Sequence, residues 1–570
     1  MDRIKACFPY PEARTGQLEL IEQIVKAYDG GAKNVILDAP TGTGKTPIAI
    51  TLARYYSSGY DGVIHDVRRH YNSEAALRGK SGMADALAAA QASLAPHQAH
   101  MITSMKLLQA QYLDSFTTPL ITLMKGKNNY RCRSNQVPPG TSCADYEALY
   151  SEGGPCRLSG QTVCAYNDAK FAAQFSRLTL HNFDSFFAQV SLGGGFVPRA
   201  VLTIDEAHNA EAKVIDAVTF SVYRGAVLDY GGTWALPDCG KPEETKAWAT
   251  DVITFINKAL VDMQNRIELI RSSSKIAGKE EFRMLRQLAA GKREATETKR
   301  KIERYVLTAD KPWVMEVKDN GESLQFEPVK GSYFAGSALT KYGARVALLS
   351  ATILDKNRII SGLNLKYDET FYLAAPCLFP VETRRIVDTR AVDTGKKSYE
   401  RNIEKMCAEI KRLMDKHPGV RGVIHASSYQ MAKDIVAGVD DSRLMSHGSK
   451  DRGDVVQAFT GGSKPDAVLV GVYVKEGYDF KHDQCRFQII PRLPYPYVTQ
   501  RIAAREEIEG GYYQWLTMID LIQECGRGTR SEDDMCVTYV IDSRFGDFVR
   551  KNHHITPRWF GEAIEIERKH

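Results

Sequence analysis

Lys45 and Thr46 close the run Ala39-Pro-Thr-Gly-Thr-Gly-Lys-Thr46, whose order suits a polyphosphate. Gly42 and Gly44 let backbone N–H groups approach phosphate oxygens, and a helix starting just downstream adds a favourable dipole. Pro40, Thr41 and Thr43 complete the cradle. Lys45 would reach the β- and γ-phosphates, and the Thr46 hydroxyl would hold Mg²⁺. Asp205-Glu-Ala-His208 supplies two carboxylates with separate uses: Asp205 for Mg²⁺, and Glu206 to orient or deprotonate a water. Far downstream, Gln523-Glu-Cys-Gly-Arg-Gly-Thr-Arg530 sets Arg527 and Arg530 three apart, so that both can project from one helix face. Their permanent charge and planar fork suit a phosphoryl group in transfer. Each motif has a bland competitor: a glycine-rich turn, an acidic helix start, a pair of surface arginines. In this order, the three describe a nucleoside triphosphate site.

The strands that carry these motifs are legible as short apolar runs. Residues 34–38 (NVILD) lead into the glycine loop, 200–204 (AVLTI) into DEAH, and 345–349 (RVALL) into Ser350-Ala-Thr352. Such runs, with chemistry at their C-terminal ends, read as a buried parallel sheet, where ligands sit at the carboxyl ends of strands. Residues 57–97 are Ala-rich and read as a helical insertion. Residues 120–174 hold four cysteines among Gly, Pro, Ser and Asn and should be loop-rich. Between 210 and 336, Trp248, Val252, Phe255, Ile256, Ala259, Met263, Ile267 and Ile270 recur at helical steps. A charged helix over 280–305 follows, and Asn320-Gly321 signals a hairpin turn. After about residue 379 a second α/β texture begins, with strands expected at 422–428, 467–474, 486–490 and 536–542.

Composition only bounds the answer. The chain has 570 residues, 75 Lys plus Arg against 69 Asp plus Glu, and a net charge of +6. That bias is too small to mark a nucleic-acid binder by itself. Collagen, wholesale disorder and a disulfide miniprotein are excluded. The longest apolar runs, such as 467–474, fall far short of the roughly 18 residues a membrane span needs, and the start lacks a secretory apolar region. Neither membrane span nor leader is therefore expected. Eleven cysteines, an odd number in a long chain, favour a reducing compartment.

The sequence order of glycine loop, DEAH, SAT and QxxGRxxR resembles superfamily 2 helicases. Further stretches narrow the resemblance to the iron–sulfur helicases of the XPD/DinG family. FPYPEARTGQLEL (8–20) is similar to that family's adenine-recognition segment, which implies Arg14 and Gln17 near the base. MITSMKLLQAQ (101–111), GKNNYRC (126–132), CAYNDAK (164–170) and RLPYP (492–496) also fit, and GVYVKEGYDF (471–480) implies Glu476, Gly477 and Asp479 at an inter-domain cleft. His208 joins the nucleotide-binding set on the same basis. The implied fold is α/β: two RecA-like parallel-sheet motor domains, the first interrupted by a loop-rich Fe-S domain and a mainly helical arch. The expected boundaries are motor 1 at 1–115, 176–215 and 336–378, the cluster domain at 116–175, the arch at 216–335 and motor 2 at 379–570. No fused nuclease is expected.

The family further implies ATP, Mg²⁺ and a 4Fe-4S cluster, single-stranded and forked DNA as partners, 5′→3′ movement, a monomer, and a cytoplasmic or nuclear site. Cys132, Cys143, Cys156 and Cys164 would hold the cluster. Their gaps of ten, twelve and seven residues lack the tight pairs of a zinc site, and also depart from the closer pair usual in the family. A zinc site or free thiols remain the alternatives. Lys125, Lys127, Arg131 and Arg133, with Tyr130 among them, read either as contacts to a single strand or as a solvated basic face. Two other functions stay open: a translocase that remodels protein–nucleic-acid complexes without separating strands, and a scaffold with a vestigial ATPase.

Overall fold

The computed structural model describes residues 1–103, 121–126, 129–131, 164–191, 196–273, 279–472, 480, 482–529 and 534–567. The three runs read above as motif strands are strands Asn34–Asp38, Val201–Asp205 and Val346–Ser350, almost wholly buried, as their unbroken apolar character requires. They belong to one seven-stranded sheet in the order 370–374, 34–38, 346–350, 201–205, 99–103, 178–182, 121–123. Every pairing in it is parallel. The SAT strand lies between the glycine-loop strand and the DEAH strand. Asp38 pairs with Ser350, and Leu349 pairs with Asp205. All three signatures therefore emerge side by side from one edge.

A second seven-stranded parallel sheet runs in the order 444–446, 468–472, 422–426, 487–490, 537–542, 386–392, 564–566. The fold is thus α/β with two RecA-like sheets and insertions in the first. The middle insertion pairs the long helices Pro242–Ser273 and Lys279–Leu307, as the helical periodicity predicts. It also contains an antiparallel sheet: Trp313–Lys318 and Ser323–Pro328 form the hairpin, turning through Asn320 (φ 54°) and Gly321 (φ 93°), and Phe220–Tyr223 adds a third strand. That third strand is too short to announce itself. Phe220 and Phe326 stack at 4.9 Å in a core shared with Trp248 and Tyr305. The Ala-rich insertion is the helix Tyr60–Leu94. Residues 121–123, expected within the cysteine region, instead pair with Leu178–Leu180 as the last strand of the first sheet.

One apolar cluster bridges the two sheets. It runs from Ile204, Leu348 and Ile353 through Trp515, Met518 and Ile522 to Val540 and Phe545. At about 1.5–3 kcal/mol for each large apolar side chain fully buried, the helix Tyr512–Cys525 is seated firmly between the halves. Among the described residues no helix is long and apolar enough to cross a membrane.

Candidate functional site

The glycine loop needs its glycines twice over. Gly42 (φ 84°) and Gly44 (φ 77°) sit in the left-handed region that L side chains avoid. A Cβ on Gly42 would also lie 1.9 Å from Phe379 Cζ, and one on Gly44 2.0 Å from Gln17 Nε2. Gln17, buried, donates from Nε2 to Thr43 O at 2.8 Å and accepts from Arg14 N at 2.7 Å, while the Arg14 guanidinium donates to Gly42 O. Arg14 and Gln17 therefore brace the loop from outside. Thr43 Oγ1 donates to Pro40 O at 2.7 Å. Helix Lys45–Tyr56 begins without a side-chain cap, so its first N–H groups have no such partner. Pro47 costs nothing in that first turn. The Lys45 ammonium donates to Ala39 O at 3.1 Å, directly over the loop. These features fit a bound triphosphate chain.

Asp205 ends its strand buried, and its Oδ1 accepts from Glu206 N at 3.0 Å. Glu206 adopts φ 53°, uncommon for a residue with a side chain, and this turn redirects the chain into His208. His208 is buried, and its Nδ1 faces three oxygens: Ser350 Oγ at 2.7 Å, Thr352 Oγ1 at 3.1 Å and Glu206 Oε2 at 3.4 Å. The hydroxyls can donate or accept, so they adapt to whichever hydrogen the ring carries.

Thr352 then reaches across to the other half. Gln523 Nε2 donates to Thr352 Oγ1 at 3.1 Å, and Arg527 Nη2 donates to Gln523 Oε1 at 3.1 Å, both side chains being buried. A Cβ on Gly526 would lie 3.4 Å from Thr41 Cγ2, so the late motif touches the glycine loop itself. The second sheet holds this helix end in place. Gln488 Nε2 donates to Cys525 O at 3.1 Å, and Gln488 Oε1 pairs with His425 Nε2 at 2.9 Å. Burial, then the charge of Arg527, push the His425 pKa down to about 4, which keeps the ring neutral beside that cation.

The structure thus brings Pro40–Thr46, Asp205 and Glu206 to one side and Gln523 and Arg527 to the other. His208 faces the SAT hydroxyls and links the two sides. Arg530, Glu476, Gly477, Asp479, Cys132, Cys143, Cys156, Lys127 and Arg133 lie outside the described residues. Cys164, half-buried, precedes helix Ala165–Phe175 in a small apolar cluster with Met124, Tyr130 and Tyr166. Among the described residues no three metal-ligating side chains come together. Lys125 and Arg131 are exposed, whereas the Tyr130 ring packs edge-on against Tyr166 at 5.7 Å. Sequence reasoning missed Thr352 as the bridge, although SAT flagged it, and missed Phe379 and Gln488, which carry no motif signal.

Residues 410–562 match the helicase C-terminal domain family, and residues 11–64 match the family of type III restriction enzyme res subunits. The two matched stretches fall on the second and first sheets respectively. The fold is that of the XPD helicases. A solved XPD helicase is 12% identical, with a TM-score of 0.58 over 98% of this chain and 100% of that one. Xpd4 of S. tokodaii is 13% identical, with a TM-score of 0.53 over 97% and 100%. An XPD structure solved in the apo form gives 12% and 0.53 over 94% and 98%. No curated protein matches the chain.

Proposed function

We propose that this protein is an ATP-dependent DNA helicase of the XPD/DinG type, moving 5′→3′ on single-stranded DNA and opening duplex ahead of it. The observation that carries the reading is the contact between halves: Glu206, His208, Thr352, Gln523 and Arg527 form one chain of polar contacts, and Gly526 abuts the glycine loop. A site assembled from two α/β units opens when they separate, so nucleotide state and inter-motor geometry are one variable.

In this mechanism Pro40–Gly44 and Lys45 bind the triphosphate, with Arg14 and Gln17 near the base as well as under the loop. Thr46 and Asp205 would hold Mg²⁺, whose charge offsets that of the phosphates. Glu206 orients a water toward the γ-phosphorus; as the new P–O bond forms, the bond to the β–γ bridging oxygen breaks, giving ADP and phosphate. Arg527, joined by Arg530, stabilises charge on the transferring group. The His208–Thr352–Gln523 bridge reports closure, and the resemblance to the XPD/DinG family assigns Glu476, Gly477 and Asp479 to the same cleft. Reopening after phosphate loss would shift grip on the strand, with Lys125, Lys127, Arg131 and Arg133 contacting its phosphates.

The domain boundaries given above are part of this proposal, with strand Ile121–Leu123 assigned to the first motor sheet in place of the cluster domain. So is a structural 4Fe-4S cluster on Cys132, Cys143, Cys156 and Cys164, which would shape the loop-rich segment into a wedge; hydrolysis requires no redox step. The test is strand displacement on 5′-tailed, 3′-tailed and forked duplexes. ATP-dependent opening of the 5′-tailed and forked substrates is expected. DNA-stimulated ATP turnover with every duplex left annealed would overturn the helicase reading in favour of a remodelling translocase.

A further inference from the structure

A second buried polar cluster lies where three parts of the chain meet, away from the nucleotide residues. Arg505, on helix Gln500–Glu509, is 1% exposed. Its Nη1 and Nη2 donate to Glu211 Oε1 and Oε2 at 2.9 and 3.1 Å, its Nε donates to Glu509 Oε2 at 2.9 Å, and Nη1 also reaches Val329 O at 3.2 Å. Glu211 Oε1 accepts in addition from Gly331 N at 3.0 Å. Gly362 leaves room for that carboxylate, since a Cβ there would lie 2.4 Å from Glu211 Oε2. Lys330 pairs with Glu509 at 2.6 Å, and Arg358 donates to Gly510 O at 2.6 Å. Burial works against the charge on Arg505, but Glu211 and Glu509 outweigh it and hold the guanidinium protonated.

The address of each partner gives the cluster its meaning. Glu211 stands three residues beyond His208, in the first turn of the helix that continues DEAH. Arg358 lies in the helix just after SAT. Arg505 lies in the helix that turns at Gly510 and Gly511 into Tyr512–Cys525, and Glu506 locks that turn by accepting from Gly511 N and Tyr513 N, both at 2.8 Å. The far end of Tyr512–Cys525 delivers Gln523. The turn beside the cluster and the Gln523 side chain thus mark opposite ends of helix Tyr512–Cys525, about 17 Å apart at 1.5 Å per residue.

We propose that the Arg505–Glu211 pair is the fulcrum of the motor: a positioning contact that ties the helix after DEAH, through the turn at Gly510 and Gly511, to the near end of helix Tyr512–Cys525, which leads into Arg527, so that movement at one is delivered as rotation at the other. A fork gripping both oxygens of one carboxylate fixes orientation as well as distance, which a point charge does not. This inference rests on reading the site as an ATP-driven motor.

The test uses full-length Arg505→Lys and Glu211→Gln, with Ile435→Val, in the core of the second sheet, as a control that costs stability without touching the clasp. Three quantities are read: kcat and KM for ATP with saturating single-stranded DNA, the change in DNA affinity on adding a non-hydrolysable ATP analogue, and the melting temperature. Both clasp variants should lose about tenfold or more in kcat with KM held within about threefold, and the analogue's effect on DNA affinity should shrink toward none. Ile435→Val should keep both. Wild-type values in the two clasp variants, or an equal loss in Ile435→Val, would overturn the inference while leaving the motor intact. Wild-type protein lacking DNA-stimulated turnover and lacking the analogue effect would instead overturn the motor reading, and the fulcrum with it.

Discussion

Replacing Thr352 with valine keeps the side chain's shape and removes one hydroxyl. That hydroxyl accepts from Gln523 Nε2 at 3.1 Å and lies 3.1 Å from His208 Nδ1. His208 retains Ser350 Oγ at 2.7 Å, so its loss is partly compensated. Gln523 is buried, and its amide is left facing a methyl group. A buried donor stripped of its acceptor costs about 1–3 kcal/mol. If the bridge belongs to the closed, hydrolysing state, kcat falls by about 5- to 150-fold. Among the described residues the Thr352 hydroxyl pairs with Gln523, His208 and Ser350 and with no residue of the glycine loop, so KM for ATP should stay within about twofold. Steady-state ATP turnover with saturating single-stranded DNA measures both. An unchanged kcat in a folded Thr352→Val protein would refute the bridge as part of the working state.

Three further outcomes follow, two from the geometry described and the third from the proposed cluster. Gly42→Ala forces a Cβ into a left-handed residue and into the Phe379 ring, so nucleotide affinity should drop by about tenfold or more; titration with a fluorescent ATP analogue checks it, and wild-type affinity would contradict the loop geometry. Burial pushes the His181 pKa down to about 3 and the His425 pKa down to about 4, from 6.5. Because the unfolded chain takes up these protons first, stability is full above pH 6.5 and is lost as pH falls, by about 2 kcal/mol for each ring at pH 5. Urea unfolding at pH 7 and pH 5 should show that loss, reduced in His425→Gln; equal midpoints would argue against neutral buried rings. Cys164→Ser should remove the visible absorption and iron of anaerobically purified protein, whereas Lys45→Ala should abolish turnover and keep both. Zinc in place of iron would remove the cluster without touching the motor.

The strands that carry chemistry were legible because burial on both faces leaves an unbroken apolar run. NVILD is a strand to the residue, and the DEAH and SAT runs are displaced by one. The two long helices of the middle insertion announce themselves by periodicity. Phe220–Tyr223 does not, since four residues cannot establish a period and its partner lies about 100 residues downstream. The glycine loop was readable from residue types alone. The bridge was not, because Thr352 and Gln523 are 171 positions apart and hydrogen-bond pairing leaves no trace in periodicity. Arg505 shows the same limit more sharply. In QRIAAREEIE it reads as one charge on a solvated helix; only packing against Glu211 from another part of the chain buries it.

The proposed motor requires nucleotide between the loop at Lys45 and the guanidinium of Arg527. The most direct measurement is the single-turnover rate of ATP hydrolysis by Arg527→Ala at saturating MgATP and single-stranded DNA. A loss of about a thousandfold or more, with MgATP still bound, is the result predicted for an arginine acting on the transferring phosphoryl group. Hydrolysis at the wild-type rate would contradict it.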